Sequence, residues 1–196
     1  MTRAFALLFA ALMVLAGADH AQAQSPGGFF DLRDIMGGGP NFRSGGGGSS
    51  PIPRTTVSFA GNYAPGTILI DTAERRLYLV LGNGQALRYG IGVGRDGFRW
   101  SGTHRITAKK EWPSWTPPSQ MRARRPDLPR HMEGGIDNPL GARAMYLGST
   151  LYRIHGSNEP ETIGQAVSSG CFRMTNDDVT DLYGRVGVGT TVVVKN

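Results

Sequence analysis

The chain has 196 residues, 18% of them charged and 39% hydrophobic, with a net charge of +6. That length fits one domain, and the moderate charge permits an acidic partner without calling for nucleic acid. The 29 glycines show no G-x-y period, which excludes collagen, and the single cysteine, Cys171, excludes an intrachain disulfide framework and any multi-cysteine zinc module.

At the N-terminus, Arg3 precedes an apolar run over residues 4–16 that breaks at Gly17, and Ala21-Gln22-Ala23 forms an A-x-A cleavage pattern. The run is too short to span a bilayer and ends in a cleavage site, so residues 1–23 read as a secretory signal peptide with no membrane span left after its removal. An unpaired thiol carried into an oxidising compartment points to a reactive or intermolecularly paired cysteine. The plainer alternative is a small buried hydrophobe.

Residues 24–56 hold nine glycines, in runs at 27–28, 37–39 and 45–48, together with Pro26, Pro40, Pro51 and Pro53. Such a stretch buries too little apolar surface to offset its ordering entropy and reads as a flexible tether. Phe29, Phe30, Leu32, Ile35 and Met36 interrupt it, as a short docking element or a loosely collapsed linker.

The remaining domain, residues 57–196, reads as mainly β. Runs at 67–71 and 76–81 are rich in strand formers, and the second alternates Leu77, Leu79 and Leu81 against Tyr78 and Val80. Gly82-Asn83-Gly84 is a tight turn that makes a hairpin of 76–81 with 86–93. Further strands are expected at 103–109, 144–147, 151–155 and 190–195, with a second hairpin turning through Gly148-Ser149-Thr150. One helix stands out. Asn176 reads as its cap, Asp177 and Asp178 occupy its first turn, and Val179, Leu182, Tyr183 and Val186 form its apolar face. The expected class is a β-sandwich-like domain with one or two short helices.

Between about 111 and 141 the texture changes. Trp112, Trp115, Pro113, Pro117, Pro118, Pro126, Pro129 and Arg122, Arg124, Arg125 and Arg130 fall together. A loop this long inside a compact domain is usually functional or disordered, and two tryptophans argue for an ordered flap over a cleft, with helix potential at 119–125. Trp112, Trp115 and Tyr146 are candidate walls of that cleft, although aromatic residues also serve as core.

The chemistry concentrates in His155-Gly156 and in Ser168-Ser169-Gly170-Cys171-Phe172-Arg173. The histidine closes a strand, and the cysteine lies in a glycine-flanked turn shortly before the helix, so strand end and turn can meet. A free thiol is only a few per cent thiolate at neutral pH. An adjacent imidazole can take its proton, and Arg173 adds positive charge. Gly170 permits close backbone approach. The N–H groups of Gly170 and Cys171 are candidate oxyanion donors, and Ser168 and Ser169 can hold the turn. Arg173 is the leading candidate for a substrate or turn contact, since guanidinium groups bind carboxylates in bidentate fashion; the flap arginines rank behind it. His104 and His131 have no metal-ligand partner at useful spacing and read as structural.

His155-Gly156, a mid-teens gap, then Ser168, Gly170-Cys171, Phe172 and Arg173 resemble the signature of the L,D-transpeptidase (YkuD-type) catalytic domain. Arg76-Leu-Tyr-Leu79, the Gly90 to Gly94 turn, Thr103, and 138–147 resemble its upstream pattern, so the likeness covers nearly all of 57–196. Two positions depart from common members: Ser169 stands where some carry histidine, and Gly156 where some carry a serine that orients the catalytic histidine. A backbone carbonyl is then an option for holding the second ring nitrogen of His155.

The resemblance implies a bacterial periplasmic enzyme acting on peptidoglycan stem peptides without a cofactor. Cys171 would be the nucleophile and His155 the general base and acid, with Gly156 among the substrate contacts. A stem-peptide acceptor would give 3→3 cross-links, an outer-membrane or envelope protein would become wall-anchored, and water would make the enzyme an L,D-carboxypeptidase. Two other readings compete. A sortase-like or papain-like peptidase fits the His–Cys order or spacing poorly, and a non-catalytic peptidoglycan-binding module has no need of both Cys171 and His155.

Overall fold

The computed structural model describes residues 50–196. The expected signal segment, residues 24–49 of the expected tether and its Phe29-Phe30 element lie outside those residues.

Among the described residues, eleven strands and two helices follow in the order β1 (Thr55–Ser58), β2 (Ile68–Asp71), β3 (Arg76–Gly82), β4 (Gln85–Gly90), β5 (Val93–Gly94), β6 (Gly102–Glu111), α1 (Ser119–Arg124), β7 (Arg143–Leu147), β8 (Arg153–His155), β9 (Ala166–Ser168), β10 (Phe172–Arg173), α2 (Asn176–Arg185) and β11 (Thr191–Lys195). One 3₁₀ turn, Pro160–Thr162, precedes β9. The mainly β class with two short helices is what the strand-rich runs predicted.

Nine strands form one mixed sheet in the order β1-β4-β3-β2-β11-β6-β7-β8-β10, and β5 pairs with β9 apart from it. β6 joins the two halves. Its first residues pair with β11, its later ones with β7, and the register shifts between Ile106 and Ala108. Such irregularities let a strand bend from one packed layer into the next. Between the halves lies one core. Ile68, Ile70, Leu77 and Tyr89 from the first half meet Met145, Leu147, Ile154 and Phe172 from the second, and Val179 and Leu182 of α2, with Val186 just beyond its end, close it. The expected hairpin turn holds Asn83 at φ 51° and Gly84 at φ 68°, the two positive-φ positions a two-residue hairpin loop demands.

Three local expectations need correction. The last residues of the expected tether are built into the domain. β1 pairs antiparallel with β4 from Thr55↔Arg88 to Ser58↔Gln85, and Arg54 reaches Asp178 of α2 at 3.1 Å. Thr55–Ser58 is short, polar and largely exposed, so it carries no period-2 signal. The second correction concerns α2. Thr175 caps it by accepting the Asp178 N–H, while Asn176 is its first residue and turns its Oδ1 to the Ala142 N–H at 2.8 Å. The third is length: β4 ends at Gly90, and β8 spans only Arg153–His155.

Candidate active site

β8 and β10 run parallel, with Ile154 opposite Phe172 and His155 opposite Arg173. Ile154 and Phe172 are buried in the core. Alternation along a strand then turns Arg153, His155 and Arg173 to the other face, with Cys171 one residue before Phe172 on that same side. All four line a single cleft of about 350 Å³. Its outer wall comes from the flap: Trp115, Met121, Arg124 and Leu140 contribute to the lining. The flap holds itself in place with a small core of Trp115, Leu128 and Leu140, flanked by Met121 and Met132, and with the Trp115↔Met132 bridge.

The cysteine turn is tightly held. Ser168 Oγ donates to the Cys171 carbonyl at 2.6 Å and accepts the Gly170 N–H at 3.2 Å. Gly170 has φ 104°, and a Cβ there would stand 2.5 Å from the Tyr152 ring, so glycine is demanded by both dihedral and space. Tyr152 is stacked on Trp100 with centroids 4.6 Å apart, and Trp100 Nε1 donates to the Gly170 carbonyl at 2.7 Å. Ser169 also lines the cleft, and its Oγ is buried without a hydrogen-bond partner.

His155 Nδ1 lies 2.6 Å from the carbonyl oxygen of Gly156. A carbonyl only accepts, so this contact assigns the proton to Nδ1 and leaves Nε2 with its lone pair. Burial first, then the Arg173 and Arg153 charges, pushes the imidazole down to about 3, against the pull of the Gly156 contact. Burial also raises the Cys171 thiol above its ordinary range, opposed by the Arg153 charge, a backbone hydrogen bond from Arg153 and the Arg173 charge. Thiol and imidazole are therefore both neutral at rest. Among the described residues no hydrogen bond joins them, and Sγ faces the Leu151 carbonyl at 3.9 Å.

Several sequence candidates stand elsewhere than expected. Arg173 is buried, and its Nη1 donates to Glu159 Oε2 at 2.8 Å, so its charge is spent inside the protein. Its backbone adds two hydrogen bonds to Gly92, each 2.9 Å, which makes it a brace of the turn. Gly156 does not line the cleft; it is pressed against Asn176 and Gly141, leaving no space for a side chain. Trp112 is 45% exposed and lies outside the lining. Tyr146 pairs across the sheet with Arg153 and carries that guanidinium over its ring at 5.4 Å; it too is absent from the cleft wall. The Gly170 N–H is occupied by Ser168, which removes it from the free oxyanion donors. Of the second-rank arginines, Arg124 lines the cleft, Arg125 pairs with Asp127 and Arg130 is exposed.

Sequence reasoning passed over Glu159, Arg153, Trp100 and Tyr152. Arg153 was within reach, because it stands two residues before His155 on a strand and must share its face. Glu159 offered no such signal; its link to Arg173 exists only through the fold. Among the described residues no group of three or more His, Cys, Asp or Glu side chains gathers as a metal site.

Residues 65–194 match the family model described as the YkuD L,D-transpeptidase catalytic domain. A protein of Escherichia coli (strain K12) named probable L,D-transpeptidase YbiS is 40% identical over 134 residues, which cover 64% of this chain and 43% of that protein. The chain thus spans less than half the length of that relative. A Brucella melitensis crystal structure, named for a probable carnitine operon oxidoreductase, is 48% identical over 75% of this chain and 96% of its own, with a TM-score of 0.51. The catalytic domain of the Enterococcus faecium L,D-transpeptidase, solved by NMR, shares the fold at a TM-score of 0.53 and 21% identity, covering 69% of this chain and all of that one. With more than half of its residues inside the family match and the His155 and Cys171 strand ends facing one cleft, the chain belongs to the YkuD family of L,D-transpeptidase catalytic domains.

Proposed function

We propose that this protein is a cysteine-dependent acyltransferase on peptidoglycan tetrapeptide stems. The observation that carries the reading is the Nδ1 contact of His155 with Gly156, which leaves the Nε2 lone pair free to accept a proton in the same cleft as Cys171. Cys171 Sγ attacks the carbonyl of the third stem residue as His155 Nε2 takes the thiol proton. The carbon–sulfur bond forms and the bond to the fourth residue's nitrogen breaks. His155 returns the proton to that nitrogen, and D-Ala leaves. An acceptor amine then attacks the thioester and regenerates the thiol.

The Cys171 N–H is the turn's donor to the developing oxyanion, since that of Gly170 is engaged by Ser168. Two neutral reactants suit a site where burial disfavours charge, because charge then develops only as the transition state forms, where Arg153 above all favours it on sulfur. An acceptor from another stem yields 3→3 cross-links, one from an envelope protein yields anchoring, and water yields carboxypeptidase activity. The apolar run and A-x-A pattern within residues 1–23 support export and a periplasmic reaction.

Incubation of the exported form with disaccharide-tetrapeptide, followed by mass spectrometry, tests this. The expected result is loss of D-Ala and a thioester adduct on Cys171, both absent in Cys171→Ala. Identical products from wild type and Cys171→Ala would reject the mechanism. Muropeptide profiles of sacculi with and without the protein then separate 3→3 cross-links, protein-linked tripeptides and plain tripeptides.

A further inference from the structure

Of the three arginines that line the cleft, Arg153 and Arg173 act on the cysteine, and these two are in different electrostatic states. Arg173 is matched by the buried Glu159 carboxylate at 2.8 Å. Arg153 has no carboxylate partner among the described residues. Its Nη2 donates only to the Leu151 carbonyl at 3.1 Å, and its Nε is buried without a hydrogen-bond partner. Nothing about its placement is loose: it is held over the Tyr146 ring across the β7–β8 pair, one strand position from Ile154 and on the face that carries His155. A preorganised cation, partly desolvated and uncompensated inside a reactive cleft, is the arrangement that a carboxylate of the substrate completes.

We propose that the Arg153 guanidinium binds the terminal carboxylate of the residue that leaves from the acyl donor, and so makes a free C-terminus on that residue a requirement for acylation. The inference rests on the transpeptidase reading above and adds to it a specificity-determining residue. Chemistry selects which carboxylate. Arg153 neighbours both reacting groups: it lines the same cleft as Cys171 and His155 and stands two residues before His155 on one strand, and its charge acts on thiol and imidazole alike. The α-carboxylate of the leaving residue is one carbon removed from the scissile nitrogen. The other carboxylates of a stem peptide are separated from the scissile carbonyl by longer stretches of chain. A donor extended by one more residue has an amide at this point and brings no charge to Arg153.

The test compares donors whose only difference is this group: a disaccharide-tetrapeptide with a C-terminal D-Ala acid, the same peptide with D-Ala amide, and one amidated instead on the side-chain carboxylate of the third residue. Wild-type protein should prefer the acid over the terminal amide by about ten- to a hundredfold in kcat/KM, the scale of one charge-assisted bidentate contact. It should accept the side-chain amide within a few-fold of the acid. In Arg153→Met the acid-to-amide preference should fall to within a few-fold of unity, and Arg153→Lys should keep part of it. The wild-type comparison alters only the substrate, so it stands whether or not a variant folds. Equal use of acid and terminal amide by the wild type overturns the inference, as does an unchanged preference in folded Arg153→Met. A penalty falling on the side-chain amide instead assigns the cation to another carboxylate and also overturns it. Turnover of no donor by the wild type overturns the transpeptidase reading, and this inference with it.

Discussion

At the residue scale the site's resting state is set by dehydration. The imidazole is pushed down to about 3 and the thiol upward, chiefly because the cleft disfavours charge on either. A preformed thiolate–imidazolium pair would show reactivity stepping up already in the acid to neutral range, at about pH 3.5 to 7.5. Here the rate of Cys171 alkylation by iodoacetamide should show no such step and should climb only above the ordinary thiol range of about pH 8 to 9. A plateau reached by pH 7 would overturn the neutral assignment. Gly170 is a second residue-scale constraint. Its φ of 104° and the Tyr152 ring beneath it mean that Gly170→Ala should cost at least 1 to 3 kcal/mol in stability, roughly the strain of that backbone region alone. It should also lower activity by shifting Cys171; a thermal melt and a turnover assay check both.

At the element scale, two short pieces hold the turn and the sheet edge. The Arg173–Glu159 pair is enclosed, with side-chain exposures of 6% and 3%. Glu159→Gln leaves a buried guanidinium unpaired, which costs about 3 to 5 kcal/mol and lowers the melting temperature by roughly 10 °C for a domain of this size. Adding Arg173→Met removes the orphaned charge and should recover much of that loss. Equal destabilisation in single and double variants would contradict the pairing argument. At the opposite edge, residues 50–58 form a strap: β1 covers β4, Arg54 ties the strap to Asp178, and Ile52 packs closely over Gly90 and Gly164. A chain beginning at residue 59 should therefore melt lower than one beginning at residue 50 and aggregate more readily, because it exposes the β4 edge. Equal melting of the two would show that the strap is passive.

At the scale of the whole molecule, the site couples to global stability through pH. The folded imidazole titrates near 3, whereas an unfolded one titrates at about 6.5. Between those values the unfolded chain binds the extra proton, so stability falls as pH drops from about 6.5 toward 3, by up to a few kcal/mol from this group alone. Above pH 6.5 the group contributes no pH dependence. Melting curves of wild type and His155→Gln across this range should converge as the pH falls, because the variant lacks this proton-linked loss. Parallel curves would place the acid sensitivity elsewhere. The flap enters at this scale too: its own small core of Trp115, Leu128 and Leu140 lets it close the cleft as a body that packs against itself as well as against the sheet.

Local physics made much of this legible beforehand. Alternating strand runs, the Asn83-Gly84 turn, the amphipathic face of α2 and the lone Cys171 with His155-Gly156 are short-range patterns, and the sequence alone determined a mainly β domain built around one thiol and one imidazole. What it could not determine depends on contacts between distant residues. The Glu159 carboxylate neutralises Arg173 across 14 residues, Trp100 reaches Gly170 across 70, and the strap reaches α2 across 124. None of these leaves a periodic trace in the chain. The tertiary structure therefore decided which arginine braces the turn and which faces the cleft, because a guanidinium's role is set by whether the fold brings a carboxylate to it.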